Sequence, residues 1–168
     1  MMTRRTMLLG TAGTLAIFSL FRWGRSTDAA PASKFETEKS DEEWRKLFNS
    51  AQYDVLRKHG TERAGTSPLN AEKRKGTFAC AGCDLPLFSS DTKYESGTGW
   101  PSFWQPLANA VGTTVDKSFF MTRTEVHCRR CGGHQGHVFE DGPKPTGLRY
   151  CINGVALKFA PAAASGPA

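Results

Sequence analysis

The sequence predicts a mainly β, single-domain protein with one N-terminal flanking helix and a metal site of four cysteines. After residue 76 the apolar segments are short, rich in aromatic and β-branched residues, and separated by glycine and proline, as at 77–79, 87–88, 119–121 and 156–159. Such segments are typical of strands joined by turns. No stretch after residue 60 has a helical period. The 168 residues are enough for one domain with a modest core.

One helix is predicted, over 41–58. Ser40 and Glu43 have the spacing of a capping box, in which each side chain bonds the other residue's backbone amide. Gly60 is placed to end the helix. Apolar residues recur at helical spacing through this stretch; they are Trp44, Leu47, Phe48, Ala51 and Val55. We expect this face to pack against the rest of the domain.

Residues 1–32 are interpreted as an export signal of the twin-arginine type. Arg4 and Arg5 precede an uncharged run at 7–21, whose 15 residues are fewer than the roughly 18 expected of a membrane span. Ala30 and Ala32 flank Pro31 with the spacing that a signal peptidase accepts, which predicts cleavage after Ala32. We therefore expect a periplasmic protein that is soluble after cleavage. An uncleaved membrane anchor and a transit peptide remain the alternatives.

The rest of the chain is divided at residue 159. Residues 33–159 are predicted to form the functional domain, and 160–168, made of small residues and proline, are predicted to be a disordered tail. The net charge is +6 for the whole chain, but 18 basic and 15 acidic residues remain after residue 32. So small an excess is weak support for phosphate binding. No nucleic-acid partner is expected.

Four of the five cysteines form two C-x-x-C pairs separated by 44 residues; they are Cys80, Cys83, Cys128 and Cys131. Each pair presents two thiolates from one turn, and two such turns complete the tetrahedral sulfur shell of a structural zinc. We predict one structural Zn²⁺ per chain. Three alternatives are two disulfides, a nucleic-acid-binding zinc ribbon, and a metal held by Cys128, Cys131, His134 and His137.

Cys151 is the cysteine left over. In a strand, the period of two places Arg149, Cys151 and Asn153 on one face, where a cation would favour the reactive thiolate. The alternative is a small buried side chain, which is common for free cysteines. His134 and His137 are candidate proton donors. Because they are three residues apart, both rings share a direction only if the strand bends between them.

Residues 76–159 resemble the B-type methionine sulfoxide reductases. The resemblance is carried by motifs at five places, and a weaker match extends back through 41–58. The motifs are Cys-Ala-Gly-Cys at 80–83, Ser-Gly-Thr-Gly-Trp-Pro-Ser-Phe at 96–103, Gly-His-Gln-Gly-His-Val-Phe at 133–139, Asp-Gly-Pro at 141–143 and Arg-Tyr-Cys-Ile-Asn at 149–153.

The resemblance implies a fold of two antiparallel sheets with flanking helices and a zinc away from the active site. It implies that Cys151 attacks the sulfur of a methionine R-sulfoxide in oxidised proteins, leaving a sulfenic acid. His134 and His137 would help to protonate the departing oxygen. The implied substrate-binding residues are Trp100, Arg149 and Asn153.

Three departures from the family pattern stand out. Gln135 replaces a frequent leucine, and 154–156 replace a serine-containing run. Thr98 occupies the position where many members carry a resolving cysteine, which implies that an external thiol, such as a thioredoxin-like protein, regenerates the enzyme. We expect a monomer. The alternative from another class is a non-enzymatic zinc-ribbon binding module, for which Cys151→Ser would be harmless.

Overall fold

The computed structural model describes residues 35–163, and this part of the chain is mainly β, as predicted. Every strand pair in it is antiparallel, and the strands form two sheets. The helices are α1 (Asp41–Leu47) and α2 (Ser50–Lys58). The strands are β1 (Gly76–Cys80), β2 (Pro86–Ser89), β3 (Lys93–Tyr94), β4 (Ser102–Phe103), β5 (Val111–Asp116), β6 (Arg123–Cys128), β7 (His134–Phe139), β8 (Arg149–Ile152) and β9 (Leu157–Pro161). The export signal expected at 1–32 lies outside the described residues.

The prediction of a single helix over 41–58 is wrong, because the helical backbone is interrupted between α1 and α2. Ser40 caps α1 with the predicted capping box. Phe48 is extended, with φ −111° and ψ 148°, and Asn49 then forms a second capping box with Gln52. Phe48 still stacks on Trp44, with ring centroids 5.2 Å apart. The apolar period therefore continues across a break in the backbone.

Helix α2 ends at Lys58, as predicted, but the residue in the left-handed conformation after it is His59 and not Gly60. His59 takes the left-handed conformation, with φ 56°, and the amide of Gly60 donates to the Asp54 carbonyl at 3.0 Å. A non-glycine residue is uncommon in that conformation. This turn directs the His59 ring toward Glu125, where its Nδ1 lies 2.9 Å from Oε1.

The smaller sheet has the strand order β2-β1-β9. Strand β9 extends to Pro161, which pairs with Gly76. The boundary drawn at 159 is therefore two residues too early, since backbone pairing with β1 holds Ala160 and Pro161 in the sheet. Of the predicted tail, 164–168 lie outside the described residues.

The larger sheet has the strand order β3-β4-β8-β7-β6-β5, and aromatic rings fill the space between it and the smaller sheet. Phe78 of β1 and Phe88 of β2 lie 5.0 Å and 4.3 Å, by ring centroids, from Phe103 of β4. All three side chains are fully buried, and each contributes about 1.5–3 kcal/mol by leaving water. This packing fixes β4, the neighbour of β8, against the smaller sheet.

Strand β8 is held on both sides at Cys151. Ser102 of β4 pairs with Cys151 on one edge, and His137 of β7 pairs with it on the other. Gly136 permits the close approach of β7, because a Cβ there would lie 2.0 Å from the Cys151 carbonyl oxygen. Its φ of 154° also suits glycine.

A bulge in β7 gives the bend that the two histidines require. Val126 pairs with Gly136 but His127 pairs with His134, so Gln135 is the extra residue in the ladder. A bulge of one residue shifts the alternation of side chains. The rings of His134 and His137 consequently meet edge to face, with centroids 5.4 Å apart.

Within 35–163 the structure contains no helix long and apolar enough to cross a membrane.

Candidate active site and metal site

The four cysteines of the two C-x-x-C pairs meet in one cluster. Their sulfurs all lie within 4.8 Å of one another, with Cys80 and Cys131 Sγ at 3.7 Å and Cys83 and Cys128 Sγ at 3.5 Å. Four sulfurs about 2.3 Å from a tetrahedral zinc would be roughly 3.8 Å apart. All five cysteines of the chain are free thiols, so the alternative of two disulfides is not what the structure has.

The surroundings of this cluster also suit a thiolate metal site. The Gly82 amide and the Gln135 side-chain amide both point at Cys80 Sγ, at 3.4 Å and 3.5 Å. Hydrogen bonds with the neighbouring thiols raise the pKa of Cys80 and lower the pKa of Cys83, so the four sulfurs titrate as one group. N–H donors around the sulfurs are the outer contacts that orient and tune metal ligands.

Four of the predicted site residues line one small cavity of about 120 Å³, here called the Cys151 cavity. They are Trp100, His137, Cys151 and Asn153. Trp100 comes from the turn before β4, and its indole N–H donates to the Glu62 carbonyl at 3.1 Å. The structure thus brings a thiol, an imidazole and an indole ring together around a space the size of a small side chain.

The pKa of the Cys151 thiol lies above its ordinary value. Burial raises its pKa, while a hydrogen bond with Thr98 and the charge of Arg149 lower it. The Thr98 Oγ1 to Cys151 Sγ distance is 3.8 Å. The charge of Arg149 acts in the expected direction, toward the thiolate, but burial outweighs it and the Thr98 contact.

The Arg149 guanidinium is already paired. Its Nε and Nη2 each lie 2.8 Å from an oxygen of Asp141, and it stacks 4.4 Å from the Phe139 ring. The Asp141 contact raises the pKa of Arg149 and the carboxylate offsets part of its field at Cys151. Arg149 therefore lies beside Cys151 in a fixed orientation.

His137 contacts the Asp116 carboxylate, with Nε2 and Oδ2 2.8 Å apart. The same oxygen accepts from Arg123 Nη2 at 2.7 Å, and Ser118 holds the pKa of Asp116 well below its ordinary value. Burial lowers the pKa of His137, and the Asp116 hydrogen bond opposes that shift. The pKa of His137 therefore reflects burial, which favours the neutral ring, and the Asp116 carboxylate, which stabilises the protonated one.

His134 lies next to a different space, a cavity of about 390 Å³ that it shares with His137, here called the His134 cavity. It is 1% exposed, and its Nδ1 lies 2.8 Å from Glu125 Oε1. Burial raises the pKa of Glu125, but the hydrogen bond with His134 and nearby histidines bring it below its ordinary value. His134 contacts the Cys151 cavity through His137 and is not among the residues that line it.

Asn153 is a structural contact as much as a wall of the cavity. Its Nδ2 donates to the Gln135 carbonyl at 3.0 Å, and its Oδ1 accepts from the Glu62 amide at 3.0 Å. Its carboxamide is therefore committed to backbone partners, and it is 3% exposed. It fixes the end of β8 to β7 and to the segment that carries Glu62.

Glu62 is a residue that the sequence analysis missed. Its carbonyl holds the Trp100 indole, its amide holds Asn153, and its carboxylate accepts from the amides of Gly154 and Val155 at 2.5 Å and 3.0 Å. The sequence signal was absent, since Glu62 lies in a polar stretch without periodicity. Three further missed carboxylates, Asp116, Glu125 and Asp141, also belong to the site.

Residues 48–161 match the family model described as the SelR domain. The chain belongs to the SelR family. The match ends at Pro161, the last residue of β9, which agrees with the corrected boundary.

Curated relatives match most of this SelR chain. The peptide methionine sulfoxide reductase MsrB of Leptospira interrogans is 57% identical over 126 residues, which is 74% of this chain and 96% of the relative. The MsrB of Methanosarcina barkeri is 58% identical over 123 residues, 73% of this chain and 87% of the relative. That of Pseudomonas putida is 56% identical over 125 residues, 74% and 94% respectively.

Proposed function

We propose that this SelR protein is a peptide-methionine (R)-S-oxide reductase that repairs oxidised methionine in proteins with electrons from a thiol. The observation that carries the proposal is the Cys151 cavity, where the free thiol lies beside the Trp100 indole and the His137 imidazole. The names of the curated relatives support the same activity. A zinc-ribbon binding module gives no reason for a fifth cysteine in such a cavity.

The Cys151 cavity suits attack on a sulfoxide. The Cys151 thiolate bonds to the sulfoxide sulfur, and the oxygen takes up one proton. The hydroxyl then passes to Cys151 as the bond between the two sulfurs and the S–O bond break, and methionine leaves as a thioether. Cys151 is oxidised by two electrons to a sulfenic acid while the substrate sulfur is reduced. The Trp100 ring offers an apolar surface for the substrate's methyl group.

His134 and His137 supply that proton. His137 is directly opposite Cys151 in the β7–β8 ladder, and its Asp116 partner stabilises the imidazolium. His134 touches His137 edge to face and acts behind it. Selection of the R epimer follows if the methyl group occupies the Trp100 wall while the oxygen faces His137.

Regeneration requires a partner. Cys151 is outside the cluster that holds the other four cysteines, and Thr98 is beside it instead of a second thiol. A thiol of a thioredoxin-like protein attacks the sulfenic sulfur, releasing water and forming a mixed disulfide. The partner's second thiol then frees Cys151. The protein acts as a monomer and needs no nucleic acid in this scheme.

The four clustered cysteines hold one structural zinc per chain. Tetrahedral thiolate ligation by Cys80, Cys83, Cys128 and Cys131 cross-links the turn after β1 to the turn after β6. No step of the reaction passes through it. Residues 1–32 act as a twin-arginine signal that directs the folded protein to the periplasm.

An assay with the two epimers tests the function. Wild-type protein with dithiothreitol should reduce the R epimer of a methionine sulfoxide substrate and leave the S epimer. Cys151→Ser should retain its fold, by circular dichroism, and lose turnover. Equal activity of Cys151→Ser, or preference for the S epimer, would refute the proposal.

A further inference from the structure

Beside the His134 cavity lie three residues with the chemistry of metal ligands. They are His59 after α2, Glu125 on β6 and His134 on β7. A ring nitrogen of each histidine and a carboxylate oxygen of Glu125 all lie within 4.8 Å of one another. None of them belongs to the cysteine cluster.

We propose that His59, Glu125 and His134 bind a divalent transition-metal ion such as Zn²⁺ or Co²⁺. Two imidazoles and one carboxylate are a ligand set that proteins use for zinc and other first-row metals with an open position. The Nδ1 atoms of His134 and His59 lie 2.8 Å and 2.9 Å from the same oxygen of Glu125. Two ligands about 2.1 Å from one tetrahedral ion are separated by roughly 3.4 Å, so these groups need to move apart by only about half an ångström to admit one.

Two of the three ligands are already ordered. His134 and Glu125 are 1% and 8% exposed, so little side-chain freedom is left to lose on binding. The His134 Nε2 is buried and has no hydrogen-bond partner among the described residues. That nitrogen is therefore free to carry the ring proton while Nδ1 coordinates an ion.

The third ligand gives access. The His59 side chain is 64% exposed and lines the His134 cavity, whose volume of about 390 Å³ leaves space for water ligands. Lys58 and Lys117 also line this cavity, and Asp116 opposes their charge. The two ammonium groups weaken binding of a cation, so the site is a lower-affinity one than four thiolates provide.

Occupation of this site has a consequence that rests on the proposed function. A metal on His134 fixes a ring that otherwise supports proton delivery through His137. Excess Zn²⁺ or Co²⁺ is therefore an inhibitor of sulfoxide reduction. Binding itself does not depend on the reaction and is measured separately.

Cobalt titration of the zinc-loaded protein tests the proposal. With the cysteine cluster first filled and its zinc content measured, Co²⁺ should bind at one further equivalent per chain. Its spectrum should show weak visible bands without the near-ultraviolet thiolate bands that Co²⁺ gives on cysteine. Thiolate bands would mean that Co²⁺ had exchanged into the cysteine cluster. If no further equivalent bound outside that cluster, the proposal would be overturned.

Two variants make the assignment specific. His59→Asn removes a ligand but keeps a residue that tolerates the left-handed conformation. Its affinity for the additional Co²⁺ should fall at least tenfold. Lys117→Ala changes the same cavity without touching a ligand and should bind Co²⁺ as well as wild type or better. Unchanged binding in His59→Asn would refute the site.

Inhibition by Co²⁺ should likewise disappear in His59→Asn. Binding of Co²⁺ to wild type without inhibition would refute only the proposed effect on proton delivery through His134.

Discussion

Thr98 Oγ1 lies 3.8 Å from Cys151 Sγ, in the position where the family resemblance leads one to look for a resolving thiol. The hydroxyl is not isolated. Ser96 Oγ lies 2.8 Å from Thr98 Oγ1 and 2.7 Å from Ser102 Oγ. Thr98 is therefore the last member of a hydroxyl chain that is able to donate to a Cys151 thiolate.

Thr98→Val should make Cys151 less reactive. The hydroxyl lowers the pKa of Cys151, so its removal raises that pKa and leaves less thiolate at pH 7. The rate of alkylation by iodoacetamide at neutral pH should fall several-fold, and its midpoint should move to higher pH. Thr114→Val, an exposed change on β5, is the control and should alkylate like wild type.

Thr98→Cys should change the product of a single turnover. Wild-type protein given one equivalent of sulfoxide without reductant should hold Cys151 as a sulfenic acid, trapped by dimedone and seen by mass spectrometry. Thr98→Cys should give an internal disulfide instead, whereas Thr98→Ser should still give the sulfenic acid. A disulfide from Cys151 to a clustered cysteine in wild type, with zinc released, would contradict a purely structural role for the metal.

Cys128→Ser should destabilise the fold far more than Cys151→Ser does. Loss of one thiolate removes metal affinity that contributes directly to folding, on the order of several kcal/mol. Zinc content should fall from one per chain and the melting temperature should drop sharply. Cys151→Ser should keep both its zinc and its melting temperature. Wild-type protein that is equally stable after complete removal of zinc would rule out the structural role.

Asp116→Asn should slow turnover at neutral pH. Burial lowers the pKa of His137 and Asp116 opposes the shift, so removal of the carboxylate lowers that pKa further and leaves less imidazolium at pH 7. The alkaline limb of the pH–rate profile, on which His137 loses its proton, should move to lower pH. NMR titration of the His137 ring measures the shift directly. Asp84→Asn, a surface change in a pair with Lys158, should leave both unchanged.

The export signal is tested by its arginine pair. Arg4→Lys combined with Arg5→Lys keeps both charges, and a twin-arginine route that reads guanidinium groups should then retain the protein in the cytoplasm. Fractionation followed by immunoblotting measures the distribution. Normal export of the double variant would favour a general secretory route.

Short-range patterns in the sequence predicted much of this molecule. Each C-x-x-C pair is a self-contained turn, so the cysteine cluster could be predicted from residue spacing. The Ser40 capping box likewise forms at the residues whose spacing predicted it. The second capping box, at Asn49 and Gln52, has the same kind of signal, but the apolar period from Trp44 to Val55 favoured a single helix. Because the apolar period continues across the break, it favoured one helix over the two that the capping box at Asn49 indicates.

Contacts between strands could not be predicted in the same way. Asp116, Glu125 and Asp141 reach His137, His134 and Arg149 from separate parts of the chain. Their partners depend on strand order and register, which no local pattern specifies. The bend between the two histidines was foreseen as a requirement, whereas the bulge at Gln135 that produces it depends on how β6 and β7 pair.

Gln135 reaches the cysteine cluster and the end of β8 at the same time. Its side-chain amide points at Cys80 Sγ, while its carbonyl accepts both the backbone and side-chain amides of Asn153. Loss of the metal would release this one residue from the sulfurs, and the register around Cys151 would loosen with it. A chelator should then lower sulfoxide reduction even though no step of the proposed reaction passes through the metal, and a shortage of zinc would leave oxidised methionine unrepaired.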